Sequence, residues 1–239
     1  MTKDLLWRGM LAGILAAVLA TLFARMIVEP RIDLAIGYEE MHTHHAMGAV
    51  EDEPELVSRE TQKGLGLLTA LALYGAAVGG IFSLVFAYGY GRFARIGPRS
   101  FALLLAMLAF LLVVVVPSLK YPQTPPAIGQ HETVGLRTAA YFTTIALSLG
   151  AAVAAAKLRA VLARSISGFD AGLGAIAAFV AIVALGQTAL PHVDEVPADF
   201  PASLLWHFRM ASLATQLVLW MTIGIAFGRS AEQVLLRYR

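Results

Sequence analysis

The chain has 239 residues, 58% of them hydrophobic and only 14% charged, with no cysteine and a formal net charge of +2. Soluble domains carry about 25% charged residues, so this composition cannot make a wetted surface. Disulfides, thiolate metal sites and a GxxxxGK[ST] phosphate loop are all excluded.

Six charge-free runs hold about half of the chain: 9–24, 64–91, 100–119, 138–156, 171–193 and 210–228. Each approaches or reaches the ~17–25 apolar residues that cross a bilayer as a helix. They are continuously apolar rather than alternating, which disfavours a β-barrel. The expected fold is all-α: a polytopic membrane helix bundle forming one integral membrane domain over 1–239. Its spans are expected near 7–28, 66–90, 100–119, 136–157, 171–190 and 205–228.

The first run follows Lys3 and Arg8 as in a signal peptide. Arg25 can snorkel to the far interface, so a retained span is expected, with five spans if it is cleaved. Residues 29–65 then form an outer connection with the sharpest motif in the chain. Glu39 and Glu40 precede Met41, His42, Thr43, His44, His45, Ala46 and Met47, and Glu51, Asp52, Glu53 and Glu55 follow. Imidazole and carboxylate ligands suit Co²⁺, Ni²⁺, Zn²⁺ and Cu²⁺. The three histidines could converge on one ion from a turn or an extended strand, and the acids would concentrate cations there.

The third span ends at Pro117, and Lys120-Tyr121-Pro122 with Pro125-Pro126 makes a stiff link. Arg137 and Tyr141 open the fourth span, and the fifth ends at Leu190-Pro191. His192, Asp194 and Glu195 follow, with His207 at the start of the sixth span beside the interfacial pair Trp206 and Arg209. These are nitrogen and oxygen donors for a metal near the outer mouth. Lys120, Tyr121, Arg137, Tyr141, Arg209 and Gln216 are expected to shape a pathway, because polar groups in hydrocarbon turn toward the bundle or a wet cavity. Gly9/Gly13, Gly75/Gly79 and Gly224/Gly228 are small-xxx-small faces for close helix packing. Pro30, Pro117 and Pro191 mark three similar outer hairpins, a pattern of three parallel repeats.

The charges orient the bundle. With the N-terminus cytoplasmic, the inner segments hold eleven basic residues against three acids (Asp4, Asp170 and Glu232), a net +8. The outer side holds seven basic residues against thirteen acids, a net −6, together with all six histidines. Basic residues collect on the cytoplasmic side, so both termini are expected there.

Over nearly its whole length the chain resembles the probable cobalt transporter subunit family, CbtA. The resemblance rests on Gly37-Tyr38-Glu39-Glu40 with the His/acid segment, Lys63-Gly64-Leu65-Gly66-Leu67-Leu68-Thr69-Ala70, and Lys120-Tyr121-Pro122 with Gly135 and Arg137. Further phrases are Glu195 to Ala202, Leu204-Leu205-Trp206, Phe208-Arg209, Ser212 and Gln216. It implies a bacterial inner-membrane subunit linked to Co²⁺ uptake for cobalamin synthesis, with no organic cofactor and no enzymatic activity. It also implies a small partner, CbtB-like, with one membrane helix and a His-bearing tail. Beyond the lipid bilayer and that subunit, self-association is an expected partnership and nucleic acid is not.

Two other readings stand beside it. A haem-bearing electron-transfer subunit would need histidines inside two helices, and none lies within the core of a run. A non-transporting anchor or scaffold would need only the bundle.

Overall fold

In hydrocarbon no water pairs with free backbone groups, so an apolar run must satisfy its own N–H and C=O groups as a helix. In the computed structural model each of the six runs does so over most of its described residues. The structure describes residues 1–46, 66–92, 96–125, 133–193 and 195–238, without the side chains of 39–46. Seven helices lie in these segments: α1 (Thr2–Ile27), α2 (Glu29–Ala46), α3 (Leu67–Gly89), α4 (Pro98–Lys120), α5 (Val134–Leu162), α6 (Gly168–Ala189) and α7 (Ala202–Arg237). All except α2 are long and apolar enough to cross a membrane.

Local chemistry sets several ends. Pro98 sits in the first turn of α4, where its missing N–H has no intrahelical partner to lose. Ser167 caps α6 by accepting the Asp170 N–H at 3.1 Å, and its hydroxyl donates to the Asp170 carboxylate at 2.7 Å. After α3 the chain turns at Gly91, whose φ of 78° a side chain would resist. Two features exceed the expected spans. Residues 29–46, read as part of a loop, are helical, and α7 continues beyond 228 to Arg237.

The chain divides into two compact units. The first contains Met1–Phe110 and Phe200–Arg239, hence α1, α2, α3, the first half of α4, and α7. Gly9 and Gly13 of α1 lie directly on Gly79 and Gly75 of α3, where an added Cβ would overlap the opposing carbonyl oxygen. Gly224 and Gly228 of α7 face the Ala106 and Ala102 methyls of α4, which lie 2.8 and 3.1 Å from where a Cβ would sit. With no hydrophobic drive between helices in lipid, such close approach is what holds them. Phe82, Phe86, Phe101 and Phe227 fill the centre, with Phe86 and Phe227 edge-to-face at 5.0 Å. Toward one end Ala24 and Val28 pack on Phe208 and Ala211, and the Tyr38 ring meets Phe200 at 5.0 Å, seating α2 beside the start of α7. At the other end Arg99 pairs with Glu232.

The second unit runs over Leu111–Thr124 and Ile128–Asp199 and holds the latter part of α4 with α5 and α6. Val116, Ala151 and Val183 form its buried apolar cluster, with Phe179 against it. Leu147 of α5 sits over Gly186 of α6.

Candidate functional site

Within α4 the backbone departs from regular α geometry. Residues Phe110–Val115 are π-helical, and Pro117 follows one residue later. Proline has no N–H, so residue 117 cannot serve the Val113 carbonyl of an α-turn or the Leu112 carbonyl of a π-turn. Both oxygens find donors on α5. The Tyr141 hydroxyl donates to Val113 O at 3.4 Å, and the Ser148 hydroxyl donates to Leu112 O. From α6, Gln187 Nε2 donates to Val116 O at 3.0 Å. Ser118 donates back to Val114 O at 2.6 Å and accepts from Gln123 Nε2 at 2.9 Å. This break in the α pattern, through which α4 stays helical from Pro98 to Lys120, is thus wrapped in hydroxyl, amide and carbonyl groups, all of them neutral. Proline is tolerated within a membrane helix where hydroxyl side chains, neighbouring helices and a local π-turn serve the backbone groups it frees.

At the end of the same unit, Arg137 Nη1 lies 3.0 Å from Glu195 Oε2, and Thr133 donates its hydroxyl to Glu195 Oε1. The Glu195 side chain is only 7% exposed, so both carboxylate oxygens are committed within the protein. Tyr121 donates to the Pro191 carbonyl at 2.7 Å, tying the stiff link after α4 to the end of α6. Desolvation raises the Tyr121 phenol above the ordinary tyrosine value, which keeps that donor protonated. Lys120 is half-buried in the last turn of α4.

The remaining expected donors are scattered. His192 is exposed just after α6, and Asp194 lies outside the described residues. His207, in the first unit, is exposed on α7 with Nδ1 2.6 Å from the Ser203 carbonyl. It borders an open cavity of about 400 Å³ with Pro30, Arg31 and Leu34 of α2. Arg209 is half-buried on the same helix, and the Gln216 side-chain oxygen is buried with no hydrogen-bond partner among the described residues. Glu39, Glu40, His42, His44 and His45 belong to the last turns of α2, and their side chains are outside the described part. Among the described residues no three His, Cys, Asp or Glu side chains gather closely enough to hold a metal ion.

Of the expected pathway residues, the structure therefore gathers Tyr141 with the α4 break, and Tyr121 and Arg137 with the links beside it. It adds Ser148, Gln187 and three backbone carbonyls that sequence reasoning had not joined. The available signal was Pro117 inside an apolar run, facing later runs that each carry a few polar side chains.

The family model described as probable cobalt transporter subunit (CbtA) matches residues 2–232. The chain belongs to the CbtA family. A CbtA chain is by that description a membrane subunit of a cobalt transporter, in keeping with six helices able to span a membrane. No curated protein and no solved structure matches it.

Proposed function

We propose that this CbtA chain is the membrane-spanning subunit of a Co²⁺ uptake system, gathering the ion outside through α2 and passing it along the neutral oxygen groups around the α4 break. The observation that carries this reading is the break itself. π-helical stretches within helices recur at functional sites, and each carbonyl here keeps a second lone pair beyond the one its side-chain donor takes. Weak neutral ligands also let an ion leave as readily as it arrives.

Helical spacing sharpens the collecting end. In a helix, residues three and four apart are neighbours, so Glu39 and His42, Glu40 and His44, and His42 and His45 become paired positions. A Glu-x-x-His step is a known ligand spacing on helices. The same nitrogen and oxygen donors accept Ni²⁺, Zn²⁺ or Cu²⁺, so preference for Co²⁺ would come from geometry and metal supply. His192, Asp194 and His207 would serve as later contacts, with Lys120, Arg209 and Gln216 along the route, while Glu195, taken up by Arg137 and Thr133, would hold the link in place.

The charge asymmetry supports cytoplasmic termini in a bacterial inner membrane, and the family supports a role in cobalamin supply. A small single-span partner with a histidine-bearing tail would complete the transporter, which could hold more than one copy of this chain. The test is accumulation of radioactive cobalt in cells expressing the chain with and without that partner. Uptake should need both, and replacing His42, His44 and His45 together with alanine should abolish its high-affinity part. Uptake unchanged by expression and by the triple replacement would sink the reading.

A further inference from the structure

At the end of the first unit where the two termini meet, α1 and α7 enclose a cavity of about 380 Å³ lined by Asp4, Trp7, Arg8, Val234, Arg237 and Tyr238. The transport reading does not use it. Arg8 donates from one guanidinium nitrogen to the Gln233 side-chain oxygen at 3.3 Å and to the Ser230 carbonyl at 3.5 Å, which orients the group and leaves its other nitrogens over. Arg237 makes no hydrogen bond or ion pair among the described residues. Asp4 accepts the Tyr238 hydroxyl at 2.8 Å, closing the rim. That bond raises the Tyr238 phenol above its ordinary value, so it persists as a donor.

Two cationic forks line the cavity, and the Met1 amine 3.4 Å from Asp4 offsets the one carboxylate, so the site is net cationic and suits a phosphodiester that also bears hydroxyls. Arginine forks pair with phosphate oxygens, and Asp4 can accept a hydroxyl. A separate feature selects a lipid over a free phosphate. Trp7 is 62% exposed, and Leu11, Leu15 and Leu22 continue from it along one exposed face of α1. Residues three and four apart share a helix face, so this is an apolar track starting at the cavity rim. Trp7 and Tyr238, both exposed, are the residue types that sit at headgroup level.

We propose that this cavity binds the headgroup of an anionic, hydroxyl-bearing phospholipid, with its phosphodiester between Arg8 and Arg237 and an acyl chain along Trp7, Leu11 and Leu15. The predominance of basic residues at the expected cytoplasmic ends points the same way, since anionic lipids attract basic segments there.

The experiment is native mass spectrometry of the full chain, purified in mild detergent and supplied with phosphatidylglycerol, phosphatidylethanolamine of matched acyl chains, or inorganic phosphate. One phosphatidylglycerol should stay bound. Arg237→Gln should lower its retention about fivefold, the worth of one basic side chain at an anionic surface, and Arg237→Lys should restore most of it. Arg8→Gln should act similarly, and helix content by circular dichroism should match the unaltered chain. Equal retention by the unaltered chain and both glutamine variants would overturn the proposal. So would equal retention of phosphatidylethanolamine, or displacement of the lipid by inorganic phosphate at millimolar concentration.

Discussion

Arg137 and Glu195 form an ion pair in which the carboxylate is almost wholly buried while the guanidinium is 32% exposed. They lie far apart in the chain, one in the first turn of α5 and the other in the link after α6, so the pair fixes that link against α5. Truncating one partner of a fully buried pair destabilises by about 3–5 kcal/mol, because the other charge is left uncompensated. Arg137 retains some water, and screening of exposed partners brings the expected loss for Glu195→Ala to about 2 kcal/mol. Thermal unfolding in detergent should show it, and the reversal Arg137→Glu with Glu195→Arg should recover part. A loss no larger than that of an exposed control such as Lys157→Ala would refute the clasp.

The contact of Gly13 with Gly75 makes α1 part of the bundle's core. A methyl at residue 13 has nowhere to go, since the obstacle is the Gly75 carbonyl rather than a flexible side chain. Gly13→Leu should therefore abolish recovery of folded protein. Gly150→Ala meets nothing within 4 Å and should stabilise α5 by about 0.5–1 kcal/mol through helix propensity. Loss of residues 1–27 would turn Gly75 and Gly79 out to lipid, so the purified chain should carry α1 by intact mass.

What was legible in the sequence follows from which signals are local. An apolar run long enough to cross the hydrocarbon core announces itself, so all six helices able to span could be read from the absence of charge. Their ends could not. The helix of α7 outlives its apolar run because Arg229, Ser230, Glu232 and Gln233 propagate a helix as well as they break a hydrophobic count. The same blindness hid α2, whose residues mix Arg31, Asp33, Glu39 and Glu40 with few apolar positions and carry no clear periodic face. Helix contacts were half legible: the glycine pairs were visible, but which pair met which was not. The Glu195–Arg137 clasp joins distant positions, and its carboxylate reads in sequence as one more ligand beside His192.

The dependence of the α4 break on Pro117 gives a coupled prediction. Pro117→Ala would restore an N–H able to serve Leu112 or Val113, so the hydroxyls of Ser148 and Tyr141 would matter less. Ser148→Ala alone should cost about 1 kcal/mol, in the range of interhelical hydrogen bonds in membranes. In the Pro117→Ala background its effect should fall toward zero, a coupling of about 0.5–1 kcal/mol in a double-mutant cycle. Additive losses by thermal unfolding would mean that Ser148 does not compensate for the proline. Cobalt uptake by the two single variants gives a separate readout, since a pathway through the break should slow in both while the amount of protein stays the same.

The histidines can be separated by what surrounds them. His207 is tethered through Nδ1 to the Ser203 carbonyl, and among the described residues no other expected ligand lines its cavity with it. A single exposed imidazole is a weak ligand, so His207→Ala and His192→Ala should each leave cobalt uptake within about twofold of the unaltered chain. Residues 42, 44 and 45 sit in one helix with two glutamates at ligand spacing. Removing even the supporting partner of a metal ligand costs about 10–100-fold in affinity, so their joint replacement should raise half-saturating Co²⁺ by at least that factor. High salt should weaken uptake by the unaltered chain at limiting Co²⁺, because part of the attraction comes from screened acids. The same salt should change the triple variant much less if the collecting step has gone. Equal losses from His207→Ala and from the triple replacement would place the collecting site at the α7 mouth instead of on α2.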